Sequence, residues 1–181
     1  MDKQLLIETR HFTPKPVKLL EGMNRNGNIF VEGILATVEV KNGNGRYYKR
    51  ELWEREIDKY MESVRQNRAC GELDHPESSI INLKNVSHNI TDIWWDGDIV
   101  MGKLEILPTT SGNILKALID NNVMVGVSSR GMGSLKQMGD LMEVQDDFEL
   151  LCWDFVSTPS NPGSYMKEVG MMNESKTPQQ I

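Results

Sequence analysis

The sequence predicts an α+β protein, a partly closed β-barrel or curled sheet with helices packed outside it. Three observations point there. Short segments rich in β-branched and aromatic residues recur along the chain, punctuated by Gly, Asn and Pro. Only two segments carry the period of an amphipathic helix. No internal repeat is present. With 181 residues, 39% hydrophobic and 25% charged, the chain is long enough to bury a real core and has a globular composition. It reads as a single domain over 1–164 with a flexible polar tail over 165–181.

The opening "QLLIETRHF" precedes the first clear element and reads as a mobile terminus that contains His11. "NIFVEGILATVEV" (28–40) has the length of one long or bent strand. "KNGNGRYY" (41–48) is a glycine- and asparagine-rich loop. The spacing predicts a helix over 49–67, with Trp53, Ile57, Tyr60, Met61 and Val64 forming one stripe. "ACGELDHPESS" (69–79) reads as a loop. Residues 86–107 form a hairpin turning at Asp96-Gly97, a dipeptide that tolerates positive φ. A short helix follows over 111–122, capped by Ser111, with Ile114, Leu115, Leu118 and Ile119 as its buried face. A strand is expected to end at Ser128, another to lie near 140–145, and a third to cover 148–156. "STPSNPGS" (157–164) is a turn cluster.

Composition excludes several classes. No run of about 18 apolar residues exists, so no membrane span is expected. The amino-terminal stretch lacks the apolar segment of a secretory signal, so the chain is expected to stay in the cytosol where it is made. Two cysteines, Cys70 and Cys152, make no CxxC pair and no disulfide framework. A net charge of −6 argues against nucleic-acid binding as the main work. Trp94 and Trp95 do not reverse this, because adjacent strand residues point to opposite faces and cannot form one stacking platform. Cys70, Glu72, His75 and His88 are permitted metal ligands, but their spacing matches no zinc pattern. No metal or cofactor is called for.

The chemistry concentrates in "VMVGVSSRGMGS" (123–134). On a strand, Met124, Gly126 and Ser128 share one face and Val123, Val125, Val127 and Ser129 the other. The valine side reads as core, so Ser128 faces away from it across a glycine that leaves room. The glycines that follow allow main-chain N–H groups to turn toward one point, as an oxyanion site requires. Serine beside glycine is common in turns, and a strand end with small polar residues is the ordinary reading of this spacing. A nucleophilic serine needs a base, and there are three histidines. His88 is compatible with a half-exposed position on the hairpin. His75, in "GELDHPES", is restrained by the proline that follows it. An acid inside the apolar strand "LLCWDFV", Asp154, calls for a partner or for solvent.

"GELDHP", "DIWWDGD", "GVSSRGMGSL" and "PSNP", in that order, resemble the prohead core protein proteases of T-even-type tailed phages. The similarity extends to "QLLIET", "VEGILATVEV" and "RYYKRELWE". The resemblance implies a serine endopeptidase that cleaves scaffold, core and capsid proteins inside the assembling prohead. The implied fold is a β-barrel ringed by helices, akin to herpesvirus assemblins. Carried over, Ser128 is the nucleophile and His75 the general base. Arg130 and Gly131 supply the oxyanion donors, with the Arg130 side chain as a second donor. The third catalytic member is open between Asp154 and Asp92. The resemblance also implies cleavage after glutamate in an aliphatic-x-Glu motif, and self-cleavage after Glu8, the accessible instance. The implied setting is the host cytoplasm, inside the prohead, in a homo-oligomer. A protein that keeps the fold as an inactive structural or scaffold component is the alternative.

Overall fold

The structure is a computed structural model that describes residues 2–17, 26–74 and 77–157. His75, Pro76, the turn cluster from 158 onward and the expected tail therefore lie outside the described residues. The elements run β1 (Gln4–Phe12), β2 (Lys15–Pro16), β3 (Phe30–Thr37), β4 (Arg46–Tyr47), α1 (Arg50–Arg65), β5 (Cys70–Glu72), a 3-10 turn (Leu83–Asn85), β6 (Val86–Asp96), β7 (Ile99–Ile106), α2 (Thr110–Asp120), β8 (Val125–Gly133), β9 (Leu135–Met138), β10 (Leu141–Val144) and β11 (Glu149–Ser157).

Among the described residues the strands form three sheets, ordered β1-β8-β11, β4-β10-β9 and β2-β3-β7-β6-β5. None of these closes on itself, so the expected barrel is corrected to an architecture that is, among the described residues, mostly β with two helices. The core lies between the first and third sheets. Trp153 and Phe155 of β11 and Val127 of β8 point into it and have no exposed surface. Helix α1 covers them. Trp53 stacks on Trp153 with centroids 5.7 Å apart, and Tyr60 meets the same indole edge-on at 5.4 Å. Trp53, Ile57 and Tyr60 of the predicted stripe are buried, joined by Leu52 and Glu56, while Met61 and Val64 pack against the core only partly buried. Buried Glu56 accepts from the Leu150 N–H at 3.1 Å, which fastens the helix to β11.

Five expectations about elements are corrected. The amino terminus is a nine-residue strand paired with β8 along its whole length, and exposed His11 is part of it. Its buried residues, Leu6 and Phe12, do not alternate simply, which hid it from a period-2 reading. β8 does not end at Ser128. It runs to Gly133 between two partners, so Arg130 and Gly131 are strand residues and not turn residues. Residues 70–72 are a strand. The hairpin pairs Asp96 with Ile99, so Gly97 and Asp98 make its turn and Gly97 takes φ +60. Helix α2 begins a residue earlier than expected, with Thr109 as its cap accepting from the Gly112 N–H, and Ile114 is exposed while Leu115 is buried.

Candidate active site

Ser128 sits in the middle of β8 opposite Thr9 of β1 on one side and Asp154 of β11 on the other. The three side chains share the face turned away from the aromatic core, as strand alternation requires. Thr9 Oγ1 lies 3.4 Å from Ser128 Oγ. Ser128 has no exposed surface. Gly126 does not hold open space as expected: a Cβ there would come within 3.0 Å of the Arg10 carbonyl and 3.2 Å of Val156. Ser129 points the other way. It lines a small cavity of about 60 Å³ with Glu8, Tyr48 and Trp53.

Two residues along the same face, Arg130 is also fully buried. Its Nε and Nη2 donate to the two oxygens of Asp154 at 3.0 and 2.9 Å. Nη2 also donates to Glu72 Oε2 at 3.0 Å, and Nη1 to the Ser78 carbonyl at 3.0 Å. Glu72 returns its main-chain N–H to Asp154 Oδ1 at 2.9 Å. Burial opposes the charge on Arg130, but Cys152, Asp154 and Glu72 outweigh it and raise its pKa above the ordinary value. Burial likewise raises the Asp154 carboxyl and the Cys152 thiol. The Arg130 side chain, expected near an oxyanion, is thus committed to a buried ion cluster, which corrects that assignment.

Glu72 reaches this cluster because β5 comes very close to β11. A Cβ on Gly71 would collide with the Trp153 carbonyl and His88 Nε2, so only glycine lets the strands approach. Beyond Glu72, Leu73 bridges Phe155 in parallel and the Asp74 N–H donates to the Phe155 carbonyl at 2.7 Å. The chain is therefore moored, up to residue 74, on the strand that carries Asp154. His88 is not half-exposed but fully buried. Its Nε2 lies 2.8 Å from the Trp153 carbonyl and its Nδ1 2.8 Å from Ser87 Oγ. A carbonyl only accepts, so Nε2 carries the proton and Nδ1 accepts from the serine. Burial pulls its pKa down to about 4, which leaves a neutral, structural histidine.

Asp92 stands apart, exposed on β6, with Oδ1 accepting from its neighbour Ile93 N–H at 2.9 Å. Glu8 is not on an accessible terminus. It lies in the middle of β1, and its carboxylate accepts from Asn42, Asn44, Arg46 and Tyr48. The access on which first self-cleavage after Glu8 depended is absent.

A family model described as prohead core protein serine protease matches residues 5–177. The chain belongs to that family. It is 31% identical over 194 aligned residues to the prohead core protein protease of Enterobacteria phage T4, covering 97% of this chain and 89% of the relative. Among solved structures, that of the bacteriophage T4 capsid assembly protease superposes with a TM-score of 0.81 at 28% identity, covering 87% of this chain and all of the other.

For this prohead core protease, the geometry brings Ser128 and Asp154 together and leaves Asp92 outside. Sequence reasoning missed Glu72 and Thr9 as neighbours of the site. Glu72 carried a signal, an acid between Gly71 and Leu73 two residues from a cysteine, but in a segment read as a loop it was weighed only as a metal ligand and set aside on spacing. Thr9 carried none, since its role comes only from the register of β1 on β8.

Proposed function

We propose that this chain is a serine endopeptidase of prohead maturation, with Ser128 as nucleophile, His75 as general base and Asp154 as the acid that orients it. The substrates are the scaffold, core and capsid proteins of the assembling phage head. Family membership carries the activity. What supports the residue roles is the pairing of Ser128 with Asp154 across adjacent strands, with residue 74 moored to the same strand as Asp154. Asp154 Oδ2 accepts from Arg130 Nε, and a carboxylate oxygen has a second lone pair to offer an imidazole N–H. Asp92, in the other sheet, has no such neighbourhood.

In this reading His75 takes the Ser128 hydroxyl proton while Oγ attacks the scissile carbonyl. It returns that proton to the leaving amine, and water then frees the acyl-enzyme by the same route. The oxyanion donors are main-chain N–H groups near Arg130 and Gly131. There β11 bulges between Leu150 and Cys152, and a bulge breaks the regular ladder. A nucleophile without exposed surface cannot meet a peptide until its cover moves, so the reading includes an opening step. Kinship with the assemblins belongs to the same proposal, resting on an acid carried by the strand next to the serine's own.

The test is labelling by a fluorophosphonate with intact-mass readout. Wild type and Ser129→Ala should take up one adduct, and Ser128→Ala and His75→Ala should not. Adduct on Ser129, or equal labelling of Ser128→Ala, would overturn the assignment and favour the inactive structural component.

A further inference from the structure

We propose that Arg130 is a positioning residue for this cleavage: one buried guanidinium fastens the main chain on both sides of His75 to the strand that carries Ser128. The proposal rests on the reading of Ser128 and His75 given above. Arg130 reaches Glu72 on the near side of position 75 and the carbonyls of Ser78 and Ile80, at 3.0 and 3.4 Å, on the far side. Glu72 extends the hold. Its Oε2 accepts from the Asn82 N–H at 3.0 Å and its Oε1 from Asn85 Nδ2 at 3.3 Å. Residues 72, 78, 80, 82 and 85 are thus referenced to one cation, and that cation is referenced by Asp154 to the sheet. The two sequence motifs meet here: Glu72 is the glutamate of "GELDHP" and Arg130 the arginine of "GVSSRG".

The ionic character argues for positioning. Three charges with no exposed surface add little net stability over an apolar trio of the same volume. They do fix direction, because a planar fork satisfies Asp154 with two parallel bonds and still aims the remaining N–H groups at the loop. Lysine, with one nitrogen, cannot hold Asp154, Glu72 and two carbonyls at once. A general base must stand within hydrogen-bond reach of the hydroxyl it deprotonates, and a displacement of 1 Å costs on the order of 100-fold in rate.

The experiment uses the full chain with a fluorogenic peptide containing Leu-x-Glu, plus fluorophosphonate labelling of Ser128. Compared are wild type, Arg130→Lys, Glu72→Gln and the double variant Glu72→Gln/Arg130→Met, whose net charge equals that of wild type because one acid and one base are removed together. Folded fraction is measured by near-UV circular dichroism. Expected for the folded variants is a fall in kcat on the order of 100-fold for Arg130→Lys and for the double variant, with KM little changed. The labelling rate should fall in parallel, and amide exchange at Glu72 and Asn82 should quicken. Should Arg130→Lys fail to fold, the charge-balanced double variant carries the test. If that variant folds and cleaves at the wild-type kcat, Arg130 only balances charge and the proposal is wrong. A fall confined to KM would also overturn it. Wild type that neither cleaves nor labels would remove the serine-protease reading itself, a result distinct from either.

Discussion

Two polar clusters sit on opposite faces of the same three-stranded sheet, and they are built differently. On the Ser129 face, Glu8 is one acid met by one cation, Arg46 at 2.9 Å, and by three neutral donors from 42–48. Its side chain keeps 13% of its exposure and that of Arg46 20%. On the Ser128 face, Glu72 and Asp154 share Arg130, and all three side chains are 0% exposed. The first cluster pins a nearby loop at a rim that water reaches. The second ties together segments far apart in the chain and is sealed. Loss of one partner should therefore be partly repaired by water in the first cluster and not in the second, since an unpaired buried charge has nothing to replace its partner.

The largest expected effect comes from Arg130→Met alone. It leaves two buried carboxylates without a cation and should cost about 3–5 kcal/mol, read from urea denaturation at neutral pH. A loss near that of an exposed pair would erase the contrast between the clusters. A pH titration comes next. His88 holds its proton less tightly when folded, about 4, than the 6.5 of the free group. The unfolded chain therefore binds the extra proton first. His88's contribution is fully present above pH 6.5 and is lost as pH falls towards 4, by about 3 kcal/mol over that window. Thermal melts from pH 7 to 4 should show this slope, and His88→Gln should flatten it. A slope that persists in that variant would move the acid sensitivity to the carboxylate clusters.

Glu8→Gln should cost less, about 1 kcal/mol, because the amide keeps one acceptor oxygen, enough for the two asparagines that share Oε1, and water can reach the donors left over at the Oε2 side. The urea midpoint reads it, and a cost matching that of Arg130→Met would mean the two faces are equally sealed. The smallest effect sets the baseline. Lys116→Ala breaks an exposed i,i+4 pair with Asp120 on α2 and should shift stability by no more than about 0.5 kcal/mol.

Much was legible because its signal is local. The 3.6-residue period wrote α1 into the chain, and Trp53, Ile57 and Tyr60 are buried where it put them. The hairpin was legible from two apolar runs around a glycine turn, although the turn sits one residue later. Strand alternation separated Ser128 from Ser129. The motifs "GELDHP" and "GVSSRG" named the family.

Other features depend on which distant segments end up side by side. That Gln4–Phe12 is a strand follows from its register on β8, since a segment with an irregular burial pattern gains its order from a partner's ladder. That β8 runs past Ser128 follows from β1 and β11 holding it on both edges. The pairing of Glu72 with Arg130, 58 positions away, and of Arg130 with Asp154, 24 positions away, has no trace in spacing or composition. Periodicity and turn chemistry act over a few residues and are carried by the sequence itself. Partners for buried charges are selected only when β5 docks on β11, because desolvation exacts its cost only once the sheet has closed over them.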